Sequence, residues 1–169
     1  VQTILDYTKQ MGLQGKFNED LSMALGSSSV SLMQMTQAYG VFANQGRHVN
    51  AYFIKRVEDR NGEVLEEYKS PEAAQAIPET TAFLMTDMLR SVVEQGTATS
   101  VKPLKRPTAG KTGTTNDFKD AWFIGFTPQA VAGVWVGFDE DRPIGRNETG
   151  GNSAAPIWLE YMQVQLEKE

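Results

Sequence analysis

The stretch that most restricts what this chain can become is the uncharged run from Ala121 to Phe138, AWFIGFTPQAVAGVWVGF. At about 18 residues it reaches the lower edge of the length that crosses a membrane. Its middle, however, is Thr127-Pro128-Gln129, and both flanks are rich in aromatic and β-branched residues. The run therefore predicts two buried strands joined by a tight turn, and no membrane span.

Around this hairpin the sequence reads as helices and one further hairpin. VQTILDYTKQM carries Ile4, Tyr7 or Thr8, and Met11 at helical spacing and ends near Gly12. LSMALG leads into a loop at Ser27-Ser28-Ser29. A second helix from about Leu32 places Met35, Ala38, Tyr39 and Phe42 on one face, with Asn44 and Gly46 as its stop. AYFIKRVEDRNGEVLEEY predicts a hairpin with Asn61-Gly62 as a two-residue turn. Pro78 opens a third helix at its first position, where the missing N–H costs nothing. Its buried face is Ala82, Met85, Leu89 and Val92, and Gly96 ends it. VKPLKRP is a basic connector to the strand GKTGT. After the apolar hairpin come an acidic, glycine-rich loop (DEDRPIGRNETGGN) and a last helix near Pro156, with Ser153 as candidate cap and a charged tail.

Composition narrows the function classes. At 169 residues the chain is long enough for one domain with a substantial core. A net charge of −5 offers no basic footprint for nucleic acid. Without cysteine there is no disulfide framework, thiol chemistry or cysteine zinc site. The single histidine, His48, cannot build a multi-histidine metal site and is expected on the surface or in a loop. The chain begins at Val1, without methionine or signal peptide and already in a helical pattern, so it is expected to be a fragment of something larger.

The chemistry concentrates in TAGKTGTTNDFKDAW, Thr108 to Trp122. A phosphate-binding loop would need glycine where Lys105 stands and a helix after GKT, and the sequence that follows is strand-like. In an extended strand Lys111 and Gly113 point one way, Thr112 and Thr114 the other. At a strand edge, twist or a bulge brings amine and hydroxyls to one groove, and Gly113 lets a ligand lie against the backbone. An ammonium, hydroxyls and free N–H groups suit a ligand that has a carboxylate and a carbonyl becoming an oxyanion. A surface strand with a solvated lysine stays open beside this reading. Trp122 and Phe123 read as core aromatics on the next strand. Asp120 either orients neighbouring loop backbone or is a solvated turn carboxylate.

The train TAGKTGTTNDFKDAWFIGFTPQAVAGVWVGFD, preceded by LGSSSVSLMQMTQAYGVFANQG and FIKRVEDRNGEVL and followed by TGGNSAAPIW, resembles the penicillin-binding proteins, the serine transpeptidases that cross-link peptidoglycan. The resemblance runs from about Leu21 to Tyr161 and is closest to the bifunctional class A type, which carries a glycosyltransferase domain ahead of the transpeptidase domain. It implies an α+β fold in which antiparallel strands near residues 108–137 carry flanking helices, as an incomplete serine-transpeptidase architecture. Lys111, Thr112 and Gly113 match the Lys-Thr-Gly motif. The resemblance implies that Lys111 supports the catalytic hydroxyls. Thr112 and Thr114 would bind the terminal carboxylate of a D-alanyl-D-alanine stem peptide or of a β-lactam, and the Thr114 N–H would supply half of an oxyanion hole.

The family's nucleophile lies in Ser-x-x-Lys, followed by Ser-x-Asn. No serine here has lysine three places on or asparagine two places on; Ser100 precedes Lys102 at the wrong spacing. Residues 1–169 are thus expected to be the C-terminal part of one transpeptidase domain, with both motifs and the first strands upstream. No metal and no cofactor are implied. The expected partners are stem peptide, β-lactams and the missing part of the same protein, with no membrane segment in this chain. The expected address is the extracytoplasmic face of the bacterial cytoplasmic membrane, where an N-terminal membrane helix anchors the parent. A penicillin-sensing or non-catalytic module of the same fold is the alternative.

Overall fold

The uncharged run folds as its turn signals predict. The computed structural model describes residues 1–167, and in it β4 (Asp120–Phe126) and β5 (Val131–Gly137) form an antiparallel hairpin with Phe126 opposite Val131. Thr127 closes the turn. Its N–H donates to the Ala130 carbonyl (2.9 Å), and its buried hydroxyl accepts from the Gln129 and Ala130 N–H groups. β3 (Ala109–Thr114) joins the other side of β4 in unbroken antiparallel register, from Ala109 opposite Phe126 to Thr114 opposite Ala121. The sheet order is β3-β4-β5, so β3 is an edge strand.

Side chains directly opposite one another share a face. Thr112, Phe123 and Val134 lie on one face; Lys111, Ile124 and Gly133 lie on the other, as do Gly113, Trp122 and Trp135. The first face is covered by α4 (Ala155–Leu166). Trp158 and Met162 are fully buried against it, and the Trp158 ring meets Phe123 edge-on at 5.2 Å between centroids. Its indole N–H donates to the Ala132 carbonyl (3.0 Å) and reaches the Gly125 carbonyl (3.3 Å). A buried tryptophan N–H usually finds an acceptor, since leaving it unpaired costs free energy. Gly125 permits the contact, since a Cβ there would lie 2.8 Å from the Phe123 ring and 2.9 Å from the Trp158 ring.

The second face carries helices. α2 (Leu32–Ala43) is capped by Ser31, whose hydroxyl accepts from the Gln34 N–H, and packs on β5 where Gly133 leaves room for Thr36. α3 (Glu79–Gln95) packs along β3, with Leu89 against Ala109 and Phe126, and Tyr39 and Phe42 of α2 closing the cluster. Burial in this layer raises the Tyr39 phenol above its ordinary pKa. α1 (Gln2–Gln10) buries only Leu5. Among the described residues no helix is long and apolar enough to cross a membrane.

Several local expectations need correction. The first hairpin, β1 (Arg56–Glu58) and β2 (Val64–Glu67), does not turn on two residues. Only Gly62 has positive φ (83°), and Asp59 pairs with Glu63 around three intervening residues. The reason is Asp59: its carboxylate accepts from the Glu63 and Asn61 N–H groups, which stabilises the wider loop and holds its pKa below the usual carboxylate range. Pro78 is the residue before α3 rather than its first helical position, and Val93 rather than Val92 is the buried valine of that helix. The basic connector contains a 3₁₀ helix, Thr99–Leu104, that buries Val101 and Leu104 in the α4 core. Ser153 does not cap the last helix. A π-helical turn, Gly150–Ala154, precedes α4, and the Thr149 hydroxyl accepts from the Asn152 N–H while Ser153 donates to Glu148. Of the charged tail, Lys168 and Glu169 lie outside the described residues.

The dependence of this core on one side chain is testable. Trp158→Ala removes the largest buried residue of the α4 core, and should destabilise the domain by about 3–5 kcal/mol, measured by chemical denaturation. A loss below about 1 kcal/mol would show that α4 is not what holds the first face of the sheet.

Candidate functional site

The Thr115 N–H donates to the Asp120 carbonyl at 3.1 Å, which marks that pair as hydrogen-bonded. In an antiparallel ladder such pairs alternate with non-bonded ones. Gly113 and Lys111 therefore bond to β4, while the N–H and C=O of Thr112 and Thr114 point out along the open edge. The Thr112 carbonyl indeed accepts from the Lys111 ammonium at 2.9 Å. The sequence raised twist or a bulge as the way to bring amine and hydroxyls together. The strand has no bulge, and the long lysine side chain reaches around the edge instead.

The two threonine hydroxyls lie on the α4 side of that edge. The Thr114 hydroxyl accepts from the Gly150 N–H at 3.0 Å, which fixes the oxygen and leaves its proton to donate outward. The Thr112 and Thr97 hydroxyl oxygens lie 2.6 Å apart. Lys111, Thr112, Gly113 and Thr114 all border one groove of about 1030 Å³, whose apolar wall includes Met35, Tyr39, Trp122 and Ile124. All four residues singled out from the sequence are thus brought together. Chemically, the edge offers an ammonium, hydroxyl protons and outward N–H groups, which is a set for a carboxylate and a polarised carbonyl.

Gly113 has a packing role beside any functional one, since a Cβ there would sit 3.1 Å from the Trp122 Cβ. Phe123 is core, as expected, with no exposed surface. Trp122 is not fully buried: it borders the groove and lies tilted against Trp135. The Asp120 carboxylate is neither free nor bonded to loop backbone, but holds two side chains. It accepts from the Trp135 indole N–H at 2.7 Å and from the Thr115 hydroxyl, which in turn accepts from the Asp120 N–H. His48 is half-buried in the loop after α2, and its N–H donates to the Ala74 carbonyl.

Two residues at this edge escaped the sequence reading. Gly150 stood only as part of a glycine-rich loop. A Cβ on it would overlap the Trp122 carbonyl and lie 2.6 Å from the Gly113 carbonyl. Thr97 stood only as the residue after a helix stop.

A three-stranded antiparallel sheet lies between helical layers, an α+β arrangement with Lys-Thr-Gly on its edge strand. The comparisons agree: the family model described as the penicillin binding protein transpeptidase domain matches residues 4–163, and the chain belongs to that family. Penicillin-binding protein 1A of Aquifex aeolicus is 46% identical over 163 residues, covering 96% of this chain and 22% of that protein. Penicillin-binding protein 1A of Neisseria gonorrhoeae is 39% identical and is matched over 21% of its length. The crystal structure of penicillin-binding protein 1A from Haemophilus influenzae superposes with a TM-score of 0.86 at 28% identity, over 94% of this chain and 30% of that one. The chain thus spans about a fifth of the length of these curated relatives.

The close approach at Gly150 predicts a cost. Gly150→Ala should lower domain stability by about 1–3 kcal/mol, the usual range for overpacking, read as a drop in Tm. An unchanged Tm would mean that the π-turn is free to move away from β3.

Proposed function

We propose that this chain is the C-terminal part of the transpeptidase domain of a class A penicillin-binding protein, and forms the Lys-Thr-Gly wall of a serine D,D-transpeptidase site. The carrying observation is the edge of β3, where the Lys111 ammonium, the Thr114 hydroxyl and outward backbone groups converge on one groove. The nucleophile comes from elsewhere in the longer protein, in keeping with the absence of Ser-x-x-Lys and Ser-x-Asn from this sequence. Its seat would be the groove in front of Lys111.

In this reading the serine oxygen attacks the carbonyl of the penultimate D-alanine, and its proton passes to the neighbouring base. The developing oxyanion accepts from the Thr114 N–H, one of two donors. The terminal carboxylate is held by the Thr112 and Thr114 hydroxyls, with Lys111 supplying positive charge beside both anions. The C–N bond breaks, D-alanine leaves with the proton, and an amine of a second stem peptide then attacks the ester and frees the serine. A β-lactam carrying a carboxylate would enter by the same contacts. One structural relative, penicillin-binding protein A of Mycobacterium tuberculosis, was solved as an imipenem acyl-enzyme; its 18% identity speaks for shared fold only. The work belongs at the extracytoplasmic membrane face, with the parent anchored by a helix outside this chain and its glycosyltransferase domain ahead of it.

In the full-length protein, Thr114→Val should slow acylation by a carboxylate-bearing β-lactam by about 1.5–3 kcal/mol, the usual size for a lost hydrogen bond to a charged group, and Lys111→Ala by at least as much. Wild-type acylation rates in both variants would remove these residues from the site. A protein that is acylated normally yet never cross-links stem peptides would favour the penicillin-sensing alternative.

The 169-residue chain alone should form no covalent adduct with penicillin, because neither the serine nor its base is present at the required spacing. Intact-mass spectrometry after incubation with excess penicillin decides this. A stoichiometric gain on one serine would place the nucleophile within this chain.

A further inference from the structure

The turn between α3 and the Thr99–Leu104 helix is built tightly for a surface turn. α3 ends at Gln95, and Gly96 takes φ −105° and ψ −148° with its N–H donating to the Val92 carbonyl. A Cβ on Gly96 would lie 2.8 Å from Val92 Cα, so a side chain is excluded. The Ala98 N–H returns to the same Val92 carbonyl, and Ala98 is fully buried. From the other side the π-turn presses in: the Ser100 hydroxyl donates to the Gly151 carbonyl at 3.1 Å, and a Cβ on Gly151 would sit 2.6 Å from the Thr97 carbonyl. Thr97, itself exposed, is thereby held with its hydroxyl 2.6 Å from that of Thr112.

Two hydroxyls at that distance make a single hydrogen bond, which either one can donate. If Thr112 donates to Thr97, its proton points inward and an approaching carboxylate meets only lone pairs. If Thr97 donates to Thr112, the Thr112 proton is free to point at the carboxylate, and accepting one bond strengthens the bond it donates. An anionic ligand selects the second order.

We propose that Thr97 is a positioning residue for the carboxylate subsite: it donates to Thr112, so that Thr112 donates to the ligand. The proposal rests on the reading above that Thr112 and Thr114 hold the ligand's carboxylate. It adds a residue outside the Lys-Thr-Gly strand and assigns a direction to the hydrogen-bond chain.

The test compares acylation of the full-length protein by a β-lactam with a free carboxylate and by its methyl ester. Thr97→Val should slow acylation by the free acid roughly five- to tenfold, the weight of one modest hydrogen bond, leave the ester rate and the Tm close to wild type, and be rescued by Thr97→Ser. In the Thr97→Val, Thr112→Val double variant the loss should be no greater than in Thr112→Val alone. Equal slowing of acid and ester would assign Thr97 a merely structural role and overturn the proposal. If Thr112→Val and Thr114→Val reduce the acid-to-ester ratio while Thr97→Val does not, the proposal falls and the site reading stands. If none of the three changes that ratio, the carboxylate reading itself fails and takes the proposal with it.

Discussion

The close approach of one backbone segment to the sheet, at Gly150, governs both the core and the candidate site. The π-turn Gly150–Ala154 lies on the Gly113 and Trp122 carbonyls with no room for a side chain at its first residue. A π-helical turn is an uncommon conformation, found mostly as single turns where a helix must be re-aimed. Here its first N–H is given to the Thr114 hydroxyl, and its end runs straight into α4, whose Trp158 and Met162 fill the space behind Phe123. Moving the turn outward would loosen Trp158 from the Ala132 carbonyl and Thr114 from its fixed orientation together. Packing and the orientation of the Thr114 hydroxyl are therefore coupled through one contact.

The parts legible in the sequence are those governed by local period. The apolar hairpin announced itself through two buried strands around Thr127-Pro128-Gln129, and the α2 and α3 faces through helical spacing that left out Val41, the most buried residue of α2, and missed by a residue at Val92 and Val93. Alternation along GKTGT correctly placed Lys111 opposite in sense to Thr112 and Thr114. What stayed hidden depends on contacts distant in sequence. Asn61-Gly62 promised a two-residue turn, but the Asp59 carboxylate captured the Asn61 and Glu63 amides and widened the loop. Nothing local distinguishes Thr97 from any threonine after a helix stop; its meaning comes from Thr112, fifteen positions on. Gly150 and Gly151 looked alike as loop glycines, yet one is pressed on β3 and β4 and the other on the turn after α3.

The same distinction explains why Lys-Thr-Gly is informative only with its surroundings. On a central strand the outward N–H and C=O groups of Thr112 and Thr114 would be consumed by a neighbour, and the lysine could not reach around to the Thr112 carbonyl. Proteins usually blunt an exposed edge with charge, bulges or cover, because an open row of backbone groups invites pairing with another chain. β3 has no bulge, and it is bordered by a charged lysine on one side and by the Thr97 and Gly150 turns on the other. Those borders flank the edge on both sides and leave the groove beside it open. The amine belongs to one face of the sheet and the hydroxyls to the other, so a ligand can engage both only by lying along the edge itself. In the proposed reading, a peptide lying in that position would pair with backbone groups that otherwise seek a strand, so that a short motif would serve both as sheet edge and as binding wall.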